Sequence, residues 1–182
     1  MNTTTVTNIR ENDNMKTLTE REWTFFYDTE WIQRQVENIT TTIAGTPVGK
    51  NGERRMWLAM NEDHSDLFQR FVKDALSDIR TACRKWVEPE HGSDDMRRVD
   101  RLHLHTKLWL PEAEEVPALV RVIDDKIREF LIWRVIYLWM QLKAPDEAAA
   151  IYLPKSAEIL EQLKELFRSA GGGTARRYYH LY

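Results

Sequence analysis

The chain has 182 residues, 42% of them hydrophobic and 30% charged, with a formal net charge of −3. This is the make-up of one soluble globular domain with a real core, and the charge argues against nucleic-acid binding by bulk electrostatics while allowing a local basic patch. A lone cysteine, Cys83, excludes an internal disulfide or a multi-cysteine zinc site and points to a reducing compartment.

In chain order, residues 1–17 are rich in Thr and Asn, show no hydrophobic period and lack the apolar stretch of a signal peptide. They are expected to form a flexible N-terminal arm. Glu22-Trp23-Thr24-Phe25-Phe26-Tyr27 is aromatic enough for a short strand. Thr19 and Glu22 also have the spacing of a capping box, which would open one longer helix. A short strand or turn is expected here, then a helix over about residues 29–43. Ile32, Val36, Ile39 and Ile43 recur there at helical spacing. Residues 45–52 are a loop by their Gly, Pro and Asn content.

The next helix has the clearest pattern. Asp63 or Ser65 is a suitable cap, and Leu67, Phe68, Phe71, Val72, Ala75, Leu76, Ile79, Ala82, Cys83 and Trp86 line one face. A polar loop over residues 89–95 ends it. Leu102, Leu104, Thr106, Leu108 and Leu110 then alternate with Arg101, His103, His105, Lys107 and Trp109, the period of a strand with one buried face. Such a strand needs a partner, either the segment near Trp23 or a neighbouring subunit.

Two helices close the body. One is expected over about residues 114–143; its later part, residues 130–142, is apolar almost all round and must be covered on every side. It is too short for a bilayer span and contains Arg134, so no membrane association is expected. The last helix runs to Ser169 with Asp146 as cap and Tyr152, Ala157, Leu160, Leu163 and Phe167 inward. Pro154 should kink it near Ala150. The fold class is therefore mainly α, a bundle of about four helices with a small β element. The domain plan is an arm (1–17), a helical domain (18–170) and a second arm (171–182).

That second arm is the most telling segment. Gly171-Gly172-Gly173 is expected to act as a hinge, and Arg176, Arg177, Tyr178, Tyr179, Leu181 and Tyr182 lie beyond it. Tyr and Arg anchor interfaces, so the arm reads as a docking element for a partner. The seven tryptophans suggest extensive aromatic burial within the fold or between subunits.

No nucleophile elbow, phosphate loop or dinucleotide fingerprint is present, and residues 45–52 lack the Gly-Lys-Ser/Thr ending of a phosphate loop despite Lys50. His103 and His105 share one side of a strand and would bind a metal only with a carboxylate or a third histidine such as His64 or His91. The plainer reading is a polar outer face. Asp63, His64, Ser65 and Asp66 fit cap and dipole roles at a helix start, as do Glu112, Glu114 and Glu115. Cys83 lies on an apolar face and reads as packing. The expectation is a non-enzyme without cofactor or metal. Arg54-Arg55, Arg97-Arg98 with Arg101, and Arg176-Arg177 are short basic clusters; repeated around a ring they would form a belt able to touch phosphates without reading sequence.

The order of elements carries a resemblance. Asn61-Glu62-Asp63-His64-Ser65-Asp66 leads into an amphipathic helix ending Ala82-Cys83-Arg84-Lys85-Trp86; a loop, a strand, a long apolar helix over 116–142 and a turn with Asp146-Glu147-Ala148 follow. Over roughly residues 53–169 this resembles the small head-to-tail connector (head-completion or adaptor) proteins of tailed bacteriophages. The resemblance implies a homo-oligomeric ring below the portal that extends the DNA channel, with the portal protein and tail or neck proteins as partners and non-specific contact with packaged DNA. It implies a place in the virion neck after assembly in the host bacterial cytoplasm. The alternative is a monomeric or dimeric helical binding or accessory module of a mobile genetic element.

Overall fold

The computed structural model describes residues 18–88, 100–111 and 117–170. Both expected arms, His91, Arg97, Arg98, Glu112, Glu114 and Glu115 lie outside the described residues.

The chain enters as strand β1 (Leu18–Asp28), longer than the short strand expected. Phe25 and Tyr27 are buried and Trp23 half-buried on one face, while Glu20, Glu22 and Phe26 are exposed on the other. Asp28 then caps helix α1 (Thr29–Gly45), its Oδ1 accepting from the backbone of Glu30 (2.9 Å) and Trp31 (3.1 Å). Ile32, Val36, Thr40 and Ala44 form the buried row of α1. The following loop folds back through a bridge between Val48 and Glu53, and Gly49 (φ 73°) and Gly52 (φ 64°) supply the left-handed residues that this turn demands.

Helix α2 (Ser65–Ala82) follows two short 3₁₀ turns, Met56–Leu58 and Glu62–His64. Neither Asp63 nor Ser65 is its cap; the N-cap position is His64, because the 3₁₀ turn ending there runs directly into the helix. Phe68, Phe71, Val72, Ala75, Leu76 and Ile79 are buried along α2, as the period predicts, but the helix ends at Ala82, so Cys83 and Trp86, expected on its face, lie beyond it.

Strand β2 (Arg101–Pro111) pairs antiparallel with β1 inside the same chain, Trp23 facing Thr106 and Phe25 facing Leu104. Leu102, Leu104, Thr106, Leu108 and Leu110 all point into the core. The question of the strand's partner is thus answered within the chain. Residues 86–88 lie along the other edge of β2: Lys107 N donates to Trp86 O (2.8 Å) and Glu88 N to His105 O (3.0 Å).

Helix α3 (Ala118–Lys143) begins after Pro117, later than the predicted residue 114. It is the central helix: α1, α2 and α4 (Leu153–Ala170) all pack against it. That explains most of a segment apolar all round, since residues 130–140 include no exposed position, but Leu142, at the end of the stretch expected to be covered, is 60% exposed. Arg134 lies at the rim, with Nε donating to Asp78 of α2 at 2.7 Å and its guanidinium 4.9 Å from the Tyr137 ring centroid.

The approach to α4 departs from a regular helix. After a short helical turn at Pro145–Glu147, residues Ala148–Tyr152 form a π-helical turn in which Leu153 N donates to Ala148 O. Pro154 follows at once. It has no N–H for an α-helical bond to Ala150, and the wider turn accommodates that missing donor. The irregularity expected near Ala150 thus falls on these residues. Two details differ from the sequence reading. Asp146 is not the cap, because Pro145 already occupies the first helical position behind Ala144. Ala157 is exposed, and Ser156 and Ile159 take the inward row with Leu163 and Phe167, because the π turn resets the phase of the face.

The fold is mainly α, with four principal helices and a small two-stranded antiparallel sheet among the described residues. Among the described residues no helix is long and apolar enough to cross a membrane.

Candidate docking surfaces

Two surface features stand out: a groove between helices, and the outer face of the β1–β2 sheet with the edge of β1 that no other strand pairs among the described residues. The groove, of about 440 Å³, lies between α1 and the start of α4. Its α1 wall is Asn38, Ile39, Thr42 and Ile43, one row over from the buried residues of that helix. Trp133 of α3 lies in it, and Ile151, Tyr152 and Lys155 form the opposite wall. The ammonium of Lys155 sits 3.4 Å from the Trp133 ring centroid, a cation–π contact that holds the lysine stem along the groove. Ile151 is 55% exposed because the π turn, with its extra residue per turn, leaves it on the outside. Burial raises the pKa of the Tyr152 phenol, and the Glu147 carboxylate raises it further. Arg55 pairs with Glu147, so the Arg54-Arg55 cluster has one of its charges compensated within the fold.

The outer face of the β1–β2 sheet places Thr24 opposite His105, Phe26 opposite His103, Glu22 opposite Lys107 and Asp28 opposite Arg101. Thr24 Oγ1 is 2.8 Å from His105 Nδ1, and the His103 and His105 rings lie edge to face at 5.1 Å. Lys107 also pairs with Glu88 at 3.0 Å, which raises its pKa. Phe26 is 63% exposed on this face. The spacing of His103 and His105 predicted their shared side correctly. His64 does not join them: its ring packs on Trp139 at 4.6 Å, and its Nδ1 accepts from Asn61 N at 3.3 Å. Among the described residues no group of three or more metal-binding side chains comes together.

The remaining candidates sit as follows. Cys83 is fully buried, and burial pushes its thiol up to about 12. Tyr27 is also fully buried, its pKa raised by burial first and by nearby Asp124 second; its hydroxyl makes no hydrogen bond of normal geometry among the described residues. Arg128 reaches over both the Tyr27 ring (5.2 Å) and the Trp31 ring (5.5 Å) and bonds Asp124 at 3.1 Å. The anchors Arg176, Arg177, Tyr178, Tyr179, Leu181 and Tyr182 lie outside the described residues. Sequence reasoning missed the groove, since Ile39, Trp133 and Ile151 belong to three separate segments and none is unusual alone.

No protein-family model, curated protein or solved structure matches this chain.

Proposed function

We propose that this chain is an assembly protein whose working surface is the groove between α1 and the start of α4. The observation that carries this reading is the lining: among the described residues Ile39, Ile43, Trp133 and Ile151 provide apolar area, Asn38 and Thr42 polar rims, and Lys155 the single charge. Such a surface suits an aromatic anchor from another protein, as apolar pockets with a few polar groups at the edge generally do. The arm carrying Tyr178, Tyr179, Leu181 and Tyr182 is a segment of matching chemistry. In this reading the arm of one copy docks on its neighbour or on the next protein in the structure.

The order of elements supports reading this assembly role as that of the head-to-tail connectors that the chain resembles. The chain would form a homo-oligomeric ring below the portal, bind portal and tail or neck proteins, and touch packaged DNA without sequence preference. Its location would be the virion neck, after assembly in the bacterial cytoplasm. The test is removal of residues 171–182, followed by circular dichroism, negative-stain imaging and binding to the portal protein of the same phage. The expected result is a native fold with rings and portal binding lost. Unfolding of the shortened chain, or rings that persist, would overturn the reading.

A second reading is favoured by the long edge of β1, which no other strand pairs among the described residues: a dimeric accessory module of a mobile genetic element. It predicts a small discrete species in solution in place of a ring.

A further inference from the structure

The edge of β1 has a definite polarity that follows from the bonds on the far side of β2. In an antiparallel ladder the N–H and C=O of one residue point the same way, and successive residues alternate. Lys107 N and His105 O both bond residues 86–88, so the odd-numbered residues of β2 turn away from β1. The even-numbered residues therefore bond β1, and their partners are Thr19, Arg21, Trp23, Phe25 and Tyr27. Thr106 Oγ1 donating to Trp23 O at 3.0 Å fits this phase. Glu20, Glu22, Thr24 and Phe26 consequently direct their backbone groups outward, and these groups make no backbone hydrogen bond among the described residues. An open edge of this length is a template for another strand.

From this edge we infer that β1 pairs antiparallel with β1 of a second copy about a two-fold axis, giving a four-stranded sheet. One register satisfies the whole edge. Setting Trp23 opposite Trp23 of the second copy puts Glu20 against Phe26 and Glu22 against Thr24, reciprocally, so all of the outward residues are paired. A shift by one residue of each strand toward the N-terminus sets Glu22 on Glu22; the opposite shift sets Glu20 on Asp28. Both juxtapose like charges, which is destabilising across strands. The favoured register also places the two half-buried Trp23 side chains in a non-hydrogen-bonded pair, where Cα atoms approach to about 4.5 Å and an aromatic pair is stabilising. A head-to-tail alternative, β1 of one copy along β2 of the next, is blocked because residues 86–88 already occupy the middle of that edge. The contact is therefore isologous and closes at two copies. It is independent of the groove: in the second reading this dimer is the working form, and in the connector reading it is the form of the chain before ring assembly.

The experiment is light-scattering mass over a concentration series, on the full chain and on Thr24→Pro. Proline at this position removes an outward N–H and leaves the ladder to β2 intact, as edge positions tolerate. The wild-type chain is expected to reach twice the monomer mass, and the variant to remain at monomer mass with unchanged circular dichroism. As a second measurement that does not depend on proline, chains carrying Glu22→Cys and Thr24→Cys are mixed and mildly oxidised. Directly opposed residues lie about 5.5 Å apart at Cα, within disulfide range, while like positions lie about 8–9 Å apart and outside it. A disulfide dimer should form in the mixture and in neither chain alone. A wild-type chain that stays monomeric overturns the proposal and leaves the edge to a strand from another protein. So does a dimer insensitive to Thr24→Pro, or cross-linking that ignores the register. None of these results alters the prediction for residues 171–182, so the two readings fail separately.

Discussion

The indole Nε1 of Trp139 donates to the carbonyl oxygen of Leu58 at 2.7 Å, with both residues fully buried. The same indole packs on His64 and lies 4.6 Å from the Lys143 ammonium. One side chain of α3 thus fastens both 3₁₀ turns that connect α1 to α2. Trp139→Phe keeps most of the apolar volume but leaves the Leu58 carbonyl buried without its donor. The expected loss is about 1–3 kcal/mol in urea unfolding, the usual penalty for an orphaned buried polar group. A loss within experimental error would show that the turns are held by packing alone.

Asp78 and Arg134 join α2 to α3 at the bundle's rim, with side chains 38% and 23% exposed. Solvent screening limits what such a pair contributes. A double-mutant cycle with Asp78→Asn and Arg134→Met should give a coupling of about 0.5–1 kcal/mol. The single Arg134 variant should cost more than the Asp78 variant, because it also forfeits the contact with Tyr137.

Alkaline stability should depend on Cys83. Its folded pKa is raised from 9.0 to about 12. Below 9.0 the thiol is protonated in both states and adds no slope. Between 9.0 and about 12 the unfolded chain loses this proton and the native chain keeps it, so stability falls as pH rises. The single-group slope is at most about 1.4 kcal/mol per pH unit. Urea unfolding of Cys83→Ala should show a shallower alkaline decline than wild type, whatever its stability at neutral pH. Equal slopes would assign the decline to other groups, of which Tyr27 is the next raised by burial.

The groove can be tested without disturbing the core. Ile151 is exposed, so Ile151→Asp should alter unfolding free energy by no more than about 0.5 kcal/mol. If the groove receives an aromatic arm, the same variant should abolish ring formation or portal binding. Retained assembly with an intact fold would move the docking surface elsewhere.

Local period was enough to find most elements. The leucines of β2 and the buried row of α2 lie where their spacing put them, because a strand repeats every two residues and a helix every 3.6 wherever one face meets a core. The shared side of His103 and His105 follows from the same alternation. The α4 row was read partly wrong, at Ala157 and Ser156, because the π turn that Pro154 accompanies changes the phase by an amount no period records. The groove was not legible, since its walls come from α1, α3 and the π turn, and no local signal says which half-buried residues will adjoin.

The sequence by itself determined the helical class, the inward faces of α2 and β2, and the need for α3 to be surrounded. Only the tertiary structure decided what surrounds it, that β2 finds its partner in β1 of the same chain, and that residues 86–88 cover one sheet edge while the edge of β1 stays open among the described residues. The physical reason is range: the hydrophobic period of a segment states that a face must be buried, and the choice of neighbour depends on which segments the whole chain brings together.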